Sequence, residues 1–172
     1  MFDRLIDILA GLWESLLPWK TIYQFEEGVV LTFGRYRGRK LGPGLHFVVP
    51  FIDTVLTEAV VPRAGGLDAQ TLTTADGQTV TIQVMLTWMI RREEIDKALL
   101  EVEHVEAAVR DIFYGAVGEA VSKNNLEDLN NRSFLTKLKN TCQARADEYG
   151  IQVIRIAVTQ LAQSFTLRMI QD

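Results

Sequence analysis

Two residue types that most often build reactive centres are nearly missing: the 172 residues include one cysteine and two histidines. A lone cysteine cannot close an internal disulfide, so nothing points to an oxidising compartment, and the cytoplasm is the default expectation. His46 and His104 stand at no metal-ligand spacing to each other or to Cys142, so neither a metal nor another cofactor is expected. His46 reads as a half-buried strand residue, His104 as part of a solvated helix face among Glu101, Glu103 and Glu106, and Cys142 as a core filler on an apolar helical stripe. No Ser-x-x-Lys, Gly-x-Ser-x-Gly or paired-histidine motif appears, and the acids from Glu93 to Glu106 read as a solvated charge run. No catalytic residue is therefore expected.

Positive charge is not in excess either. The formal net charge of −4 gives no basic footprint for nucleic acid. Proline is scarce, with four residues, and a composition of 48% hydrophobic and 23% charged residues is that of an ordered globular chain. At this length one domain can bury roughly two-thirds of the surface its unfolded chain exposes.

A long apolar run is also absent. Crossing a bilayer takes about 20 consecutive apolar residues, and "MFDRLIDILAGLWESLLPWK" is interrupted by Asp3, Arg4, Asp7 and Glu14. The same charges break up the apolar core that a secretory signal would need. What the stretch does have is two faces. At about 100° per residue, Leu5, Ile6, Leu9, Leu12, Trp13 and Leu16 share one half of the helical wheel with Phe2, Ile8 and Leu17, while Asp3, Arg4, Asp7, Gly11, Glu14 and Ser15 fill the other. Residues 1–19 therefore read as an amphipathic helix that lies on a surface. That surface is either a membrane, with Trp13 and Trp19 at headgroup level, or the protein itself, its own domain or a neighbouring subunit.

Beyond Pro18 the pattern is strand-like. Thr21 to Phe25 and Val29 to Phe33 read as strands around a turn at Glu26-Glu27-Gly28. Arg35, Arg37, Arg39 and Lys40 then make a basic patch among glycines. No helix follows to supply a phosphate-binding N-terminus, so the patch reads as a solvated hairpin tip, with lipid headgroups or an acidic partner as the ligand it would take. Gly42-Pro43-Gly44 turns the chain, Leu45 to Val49 is extended, and Pro50 breaks it. Thr54 to Arg63 is extended up to Gly65-Gly66. Asp76-Gly77 suits a hairpin turn with positive φ before a strand in which Val80, Ile82, Val84, Leu86 and Trp88 alternate with polar positions.

From about Arg92 the period becomes helical. Val105, Val109, Ile112, Phe113, Ala116, Val117, Ala120 and Val121 form the apolar stripe of a first helix that ends at Asn124-Asn125. A second helix from Arg132 to Tyr149 buries Phe134, Leu135, Leu138, Cys142 and Tyr149, with Gly150 as its C-terminal cap. "IQVIRIAVTQL" returns to strand, and residues 163–172 read as the start of a further helix. Strands first, then helices with one late strand, argue for an α+β fold.

This ordered series resembles the SPFH domain, also called the Band 7 or stomatin/prohibitin/flotillin domain. The carriers are Glu27-Gly28-Val29, Phe33-Gly34, Gly42-Pro43-Gly44 with His46-Phe47, Pro50 and Asp53, Asp76-Gly77, Arg132, and Gly150-Ile151 with Val153. The resemblance covers about Ile22 to Thr166 and implies a small, mainly antiparallel β subdomain followed by an α/β helical subdomain, with the domain over 20–162. It further implies a non-enzymatic, membrane-associated scaffold that forms homo-oligomers and often serves a membrane protease or channel. Family members are tethered by an N-terminal transmembrane helix or an intramembrane hairpin and commonly extend into a long coiled coil. Here the amphipathic stretch stands at the tether position, which favours peripheral attachment on the cytoplasmic side, and 163–172 is the candidate oligomer contact. The rival expectation is a soluble adaptor that regulates a protease or other protein and uses its first helix for subunit packing.

Overall fold

The structure, a computed structural model, describes residues 18–163. The amphipathic stretch up to Leu17 and the residues after Gln163 lie outside the described part. The chain divides into two compact units, with the boundary between Val61 and Pro62.

The first unit is all β. β1 (Trp19–Ile22) pairs antiparallel with β4 (Gly44–Phe47), and β2 (Glu26–Thr32) lies between β3 (Arg35–Leu41) and β5 (Asp53–Ala59), antiparallel to both. Ile22, Val30 and Leu41 form its buried centre, with Val48 and Val55 packed against them. Three boundaries differ from the sequence reading. Trp19, which the sequence reading placed in the 1–19 stretch, opens β1. Glu26-Glu27-Gly28 is the start of β2 and not a turn; the turn lies just before it, closed by the Glu26 amide donating to the Tyr23 carbonyl at 3.0 Å. Gly28 is required by proximity: a Cβ there would stand 2.6 Å from the Leu56 carbonyl oxygen of β5. The third concerns β4, which ends at Phe47, so that Val48 and Val49 belong to the loop that Pro50 continues.

In the second unit β8 (Thr79–Ile90) is the spine. β6 (Arg63–Gly66) and β7 (Gln70–Thr73) pair with successive parts of one edge, and β9 (Ile151–Gln163) pairs with it along almost its whole length. Every second residue of β8 from Val80 to Ile90 is buried, as the alternation foretold. Gly65 and Gly66 lie within β6 rather than interrupting a strand. The Asp76-Gly77 turn is present, with Gly77 at φ 77°.

The helical stretch expected from Arg92 is broken. A 3-10 turn (Arg92–Glu94) and α1 (Ile95–Leu100) come first, and the chain is extended at His104 before α2 (Val105–Ser122) begins. No Gly or Pro marks the break. Val102 and Val105, both β-branched, lie beside it, and their preference for extended backbone is the one local cue. α3 (Arg132–Ala146) follows, and a 3-10 turn (Asp147–Tyr149) ends at Gly150 in the left-handed region, φ 68°, as the cap reading required. Phe134, Leu138 and Cys142 are buried, while Leu135 and Tyr149 are half-buried, as is Ile112 on α2. Burial pushes the Cys142 thiol up to about 12, so it is an inert core group. Antiparallel sheets followed by helices make the fold α+β.

Candidate functional site

In the first unit the strand directions send one set of connections to a common end. β1 begins there, β2 and β4 finish there, and β3 and β5 start there. Backbone hydrogen bonds tie the pieces together: the Val48 amide donates to the Pro18 carbonyl and the Phe33 amide to the Ile52 carbonyl, both at 2.8 Å. The end therefore comprises Pro18 and Trp19, the Phe33-Gly34 turn, and the loop from Val48 to Ile52.

Its exposed side chains are apolar. Phe33 is 72% exposed and Phe51 83%, and Trp19, Phe47 and Val49 are also exposed. Trp19 and Phe47, opposite each other in the β1–β4 register, meet edge to face with ring centroids 5.5 Å apart. Phe33 and Phe51 share a second peculiarity: they have positive φ, 51° and 65°, and no other described residue except glycine does. In that region an L side chain costs about 1–2 kcal/mol. Thr32 pairs with Arg35 across a two-residue connection in which both Phe33 and Gly34 have positive φ, the geometry for which Asn-Gly is the favoured pair. Phenylalanine holds the position that asparagine would normally take.

Asp53 organises the loop from beneath. Its carboxylate accepts from the Thr32 hydroxyl at 2.8 Å and the Val49 amide at 3.0 Å, and Arg39 Nη1 lies 3.6 Å away. The Val49 amide, then the Thr32 hydroxyl, and to a lesser degree Arg39 hold this carboxyl below the ordinary carboxylate range. A lowered folded-state value means that the contribution is complete above the ordinary range and is lost as pH falls through the lowered value. Asp53→Ala is therefore expected to speed amide exchange at Val49 and Phe33 near neutral pH and to remove part of the acid-side loss of stability. Unchanged exchange at both amides would show that the loop does not depend on this carboxylate.

Charge is unevenly distributed along the unit. Lys20, Arg35 and Arg37 are exposed near the apolar end, and Arg39 donates to the Phe47 carbonyl at 2.5 Å. Glu26, Glu27 and Glu58 lie at the opposite end, in the rungs Glu26↔Ala59 and Glu27↔Glu58. Arg35, Arg37, Arg39 and Lys40 do not make a hairpin tip, as the sequence reading had it; all four lie along the strand β3, and the tip is Phe33-Gly34. The glycine spacing that suggested a loop reflects Gly38, which has positive φ within β3.

The other residues singled out in the sequence are not gathered here. Leu5, Ile6, Leu9, Leu12, Trp13 and Leu16 lie outside the described residues. Gly42 and Pro43 link β3 to β4 at the opposite end, with Gly44 opening β4, and Pro50 belongs to the apolar end. Asp76 and Gly77 shape the β7–β8 hairpin of the second unit, where the Asp76 carboxylate accepts from the Thr74 hydroxyl. His46 donates from Nε2–H to the Gly42 carbonyl at 2.7 Å. Among the described residues no group of three or more acids, histidines or cysteines converges on a point where a metal ion could sit, and no helix is long and apolar enough to cross a membrane. The sequence reading missed Phe33, Phe47 and Phe51. Their signal was an aromatic residue beside Gly34 and another beside Pro50, in turns where polar residues are usual.

The described residues thus form an α+β fold whose first unit carries exposed aromatic side chains at one end. The sequence model of the SPFH domain / Band 7 family matches residues 20–167, and the chain belongs to that family. Among its relatives, an uncharacterized protein of Methanocaldococcus jannaschii is 25% identical over 142 residues, 81% of this chain and 70% of that protein. A band 7 family protein of Acanthamoeba polyphaga mimivirus is 22% identical over 88% of this chain and 50% of its own length. Mouse stomatin is 20% identical over 81% of this chain and 49% of its own length. The chain thus spans about half the length of the viral and mouse proteins it matches.

Proposed function

We propose that the chain is a non-enzymatic scaffold, associated peripherally with a membrane on its cytoplasmic side, that self-associates and holds a partner such as a membrane protease or channel. In this reading residues 20–162 are the family domain. Leu5, Ile6, Leu9, Leu12, Trp13 and Leu16 lie against the bilayer, with Trp19 beside them, and 163–172 contributes to subunit contact. The observation that carries it is where the chain enters the folded part. Pro18 joins the amphipathic stretch directly to the end of the first unit that is apolar and flanked by exposed Lys20, Arg35 and Arg37. Arg35 and Arg37 are the members of the basic patch best placed to meet headgroups or an acidic partner, because Arg39 is engaged with Asp53 and the Phe47 carbonyl.

Fractionation of cells making the full chain tests the reading. Recovery with membranes, release by alkaline carbonate, and elution of the released protein as an oligomer support it. Recovery in the supernatant without detergent or carbonate favours the soluble adaptor instead.

A further inference from the structure

We propose that Phe33 and Phe51 form a second lipid-contact site, built into the folded domain, whose rings enter the outer part of an anionic phospholipid monolayer. The proposal rests on the membrane-associated reading and adds to it a contact separate from residues 2–17.

Both rings break two local rules at once. They are the most exposed large apolar side chains among the described residues, and both stand in a backbone region that L side chains avoid. Neither feature helps the fold. Asparagine at position 33 would satisfy the turn, and a polar residue at position 51 would lose no buried contact. Departures of this kind without a folding return mark places selected for function.

The two rings are also held ready. The Phe33 amide is bonded to the Ile52 carbonyl, and the Asp53 amide and carboxylate close the loop onto Val49. Little freedom is therefore left to lose on insertion. Three observations select lipid as the occupant. The chain runs from this end, through Pro18, into the amphipathic stretch. Lys20 and Arg35, both exposed, lie near this end, and of the basic residues of β3 Lys40 lies toward the other, where Glu26, Glu27 and Glu58 outnumber it, so that the apolar end is the one that suits an anionic surface. The exposed Trp19–Phe47 pair belongs to the same end, and such aromatic rings suit the headgroup level.

The test is binding of the full chain to vesicles of phosphatidylcholine mixed with phosphatidylserine. Four proteins are compared: the parent, F33N/F51N, a variant with Leu9, Leu12, Trp13 and Leu16 changed to serine, and the combination. F33N/F51N is expected to weaken affinity roughly 10- to 100-fold while its melting temperature stays level or rises, since asparagine tolerates positive φ. The combined variant is expected to lose the residual affinity of the serine variant. An environment-sensitive dye on Phe51→Cys is expected to shift to the blue on these vesicles, and the same dye on Tyr23→Cys, at the opposite end, to stay water-like. Cys142, buried, does not compete for label.

If the parent and F33N/F51N bind equally and the dye at position 51 stays water-like, the site is overturned while membrane association through residues 2–17 stands. If the parent does not bind vesicles at all, both fall. If F33N/F51N alters the oligomeric state but not vesicle binding, the rings meet protein and the proposal fails.

Discussion

Replacing Gly150 by valine is expected to destabilise the second unit by about 3–5 kcal/mol, combining the left-handed penalty with overpacking. Gly150 has φ 68°, and a Cβ there would lie 2.7 Å from both the Cβ and the carbonyl oxygen of Glu94. That neighbour cannot easily retreat. The Arg91 amide donates to the Gly150 carbonyl at 2.9 Å, and the Arg91 guanidinium spans Glu94 at 2.9 Å and Asp147 at 2.5 Å. The end of β8, the 3-10 turn at Arg92–Glu94 and the start of β9 thus meet around one α-carbon. Against a total stability of about 5–15 kcal/mol, such a loss would lower the melting temperature by many degrees. Gly150→Ala should show most of the same effect, because the first added carbon already collides. A melting temperature within a degree or two of the parent in both variants would mean that the Glu94 turn yields freely.

Gly28→Val should be nearly as damaging, for a different reason. Its φ is ordinary, so the cost is purely steric, about 2–4 kcal/mol. An added Cβ would press on the Leu56 carbonyl oxygen at 2.6 Å and the Thr57 methyl at 3.1 Å, across the pairing of β2 with β5. Since β2 is the central strand of its sheet, the expected result is faster amide exchange at Val29, Val30 and Leu31. Exchange there at the parental rate would show that β2 and β5 separate without losing their hydrogen bonds.

These two glycines show what the sequence could and could not convey. Gly150 follows a helical stripe and precedes a strand, so its role as a cap was readable from position alone. Gly28 looked like a turn because glycine between two β-rich runs usually is one; the approach of Leu56, a residue 28 positions away, is a tertiary fact. The same contrast holds elsewhere. β8 was plain because one face is buried along its whole length and the side-chain period is two. The break before α2 was hidden because no glycine or proline marks it. In the candidate site the basic residues were noticed, but their strand setting was not, since glycines among arginines suggest a loop. Phe33 reads from the sequence as the end of a strand, and Phe51 carries no signal of exposure, because hydrophobic patterning assigns aromatics to the core. Only the backbone shows them at turns, exposed and with positive φ.

The central claim is that this family member meets a membrane through the end of the domain where the amphipathic stretch joins it. Co-flotation of the purified full chain with phosphatidylcholine–phosphatidylserine vesicles, at low and high salt, tests it most directly, with the four-serine variant alongside. The account predicts that the parent floats at both salts, and that the variant floats far less and loses what remains as salt screens Lys20, Arg35 and Arg37. A parent that stays at the bottom at both salts, while eluting as a large species that the variant no longer forms, would contradict it and make the first residues an assembly element.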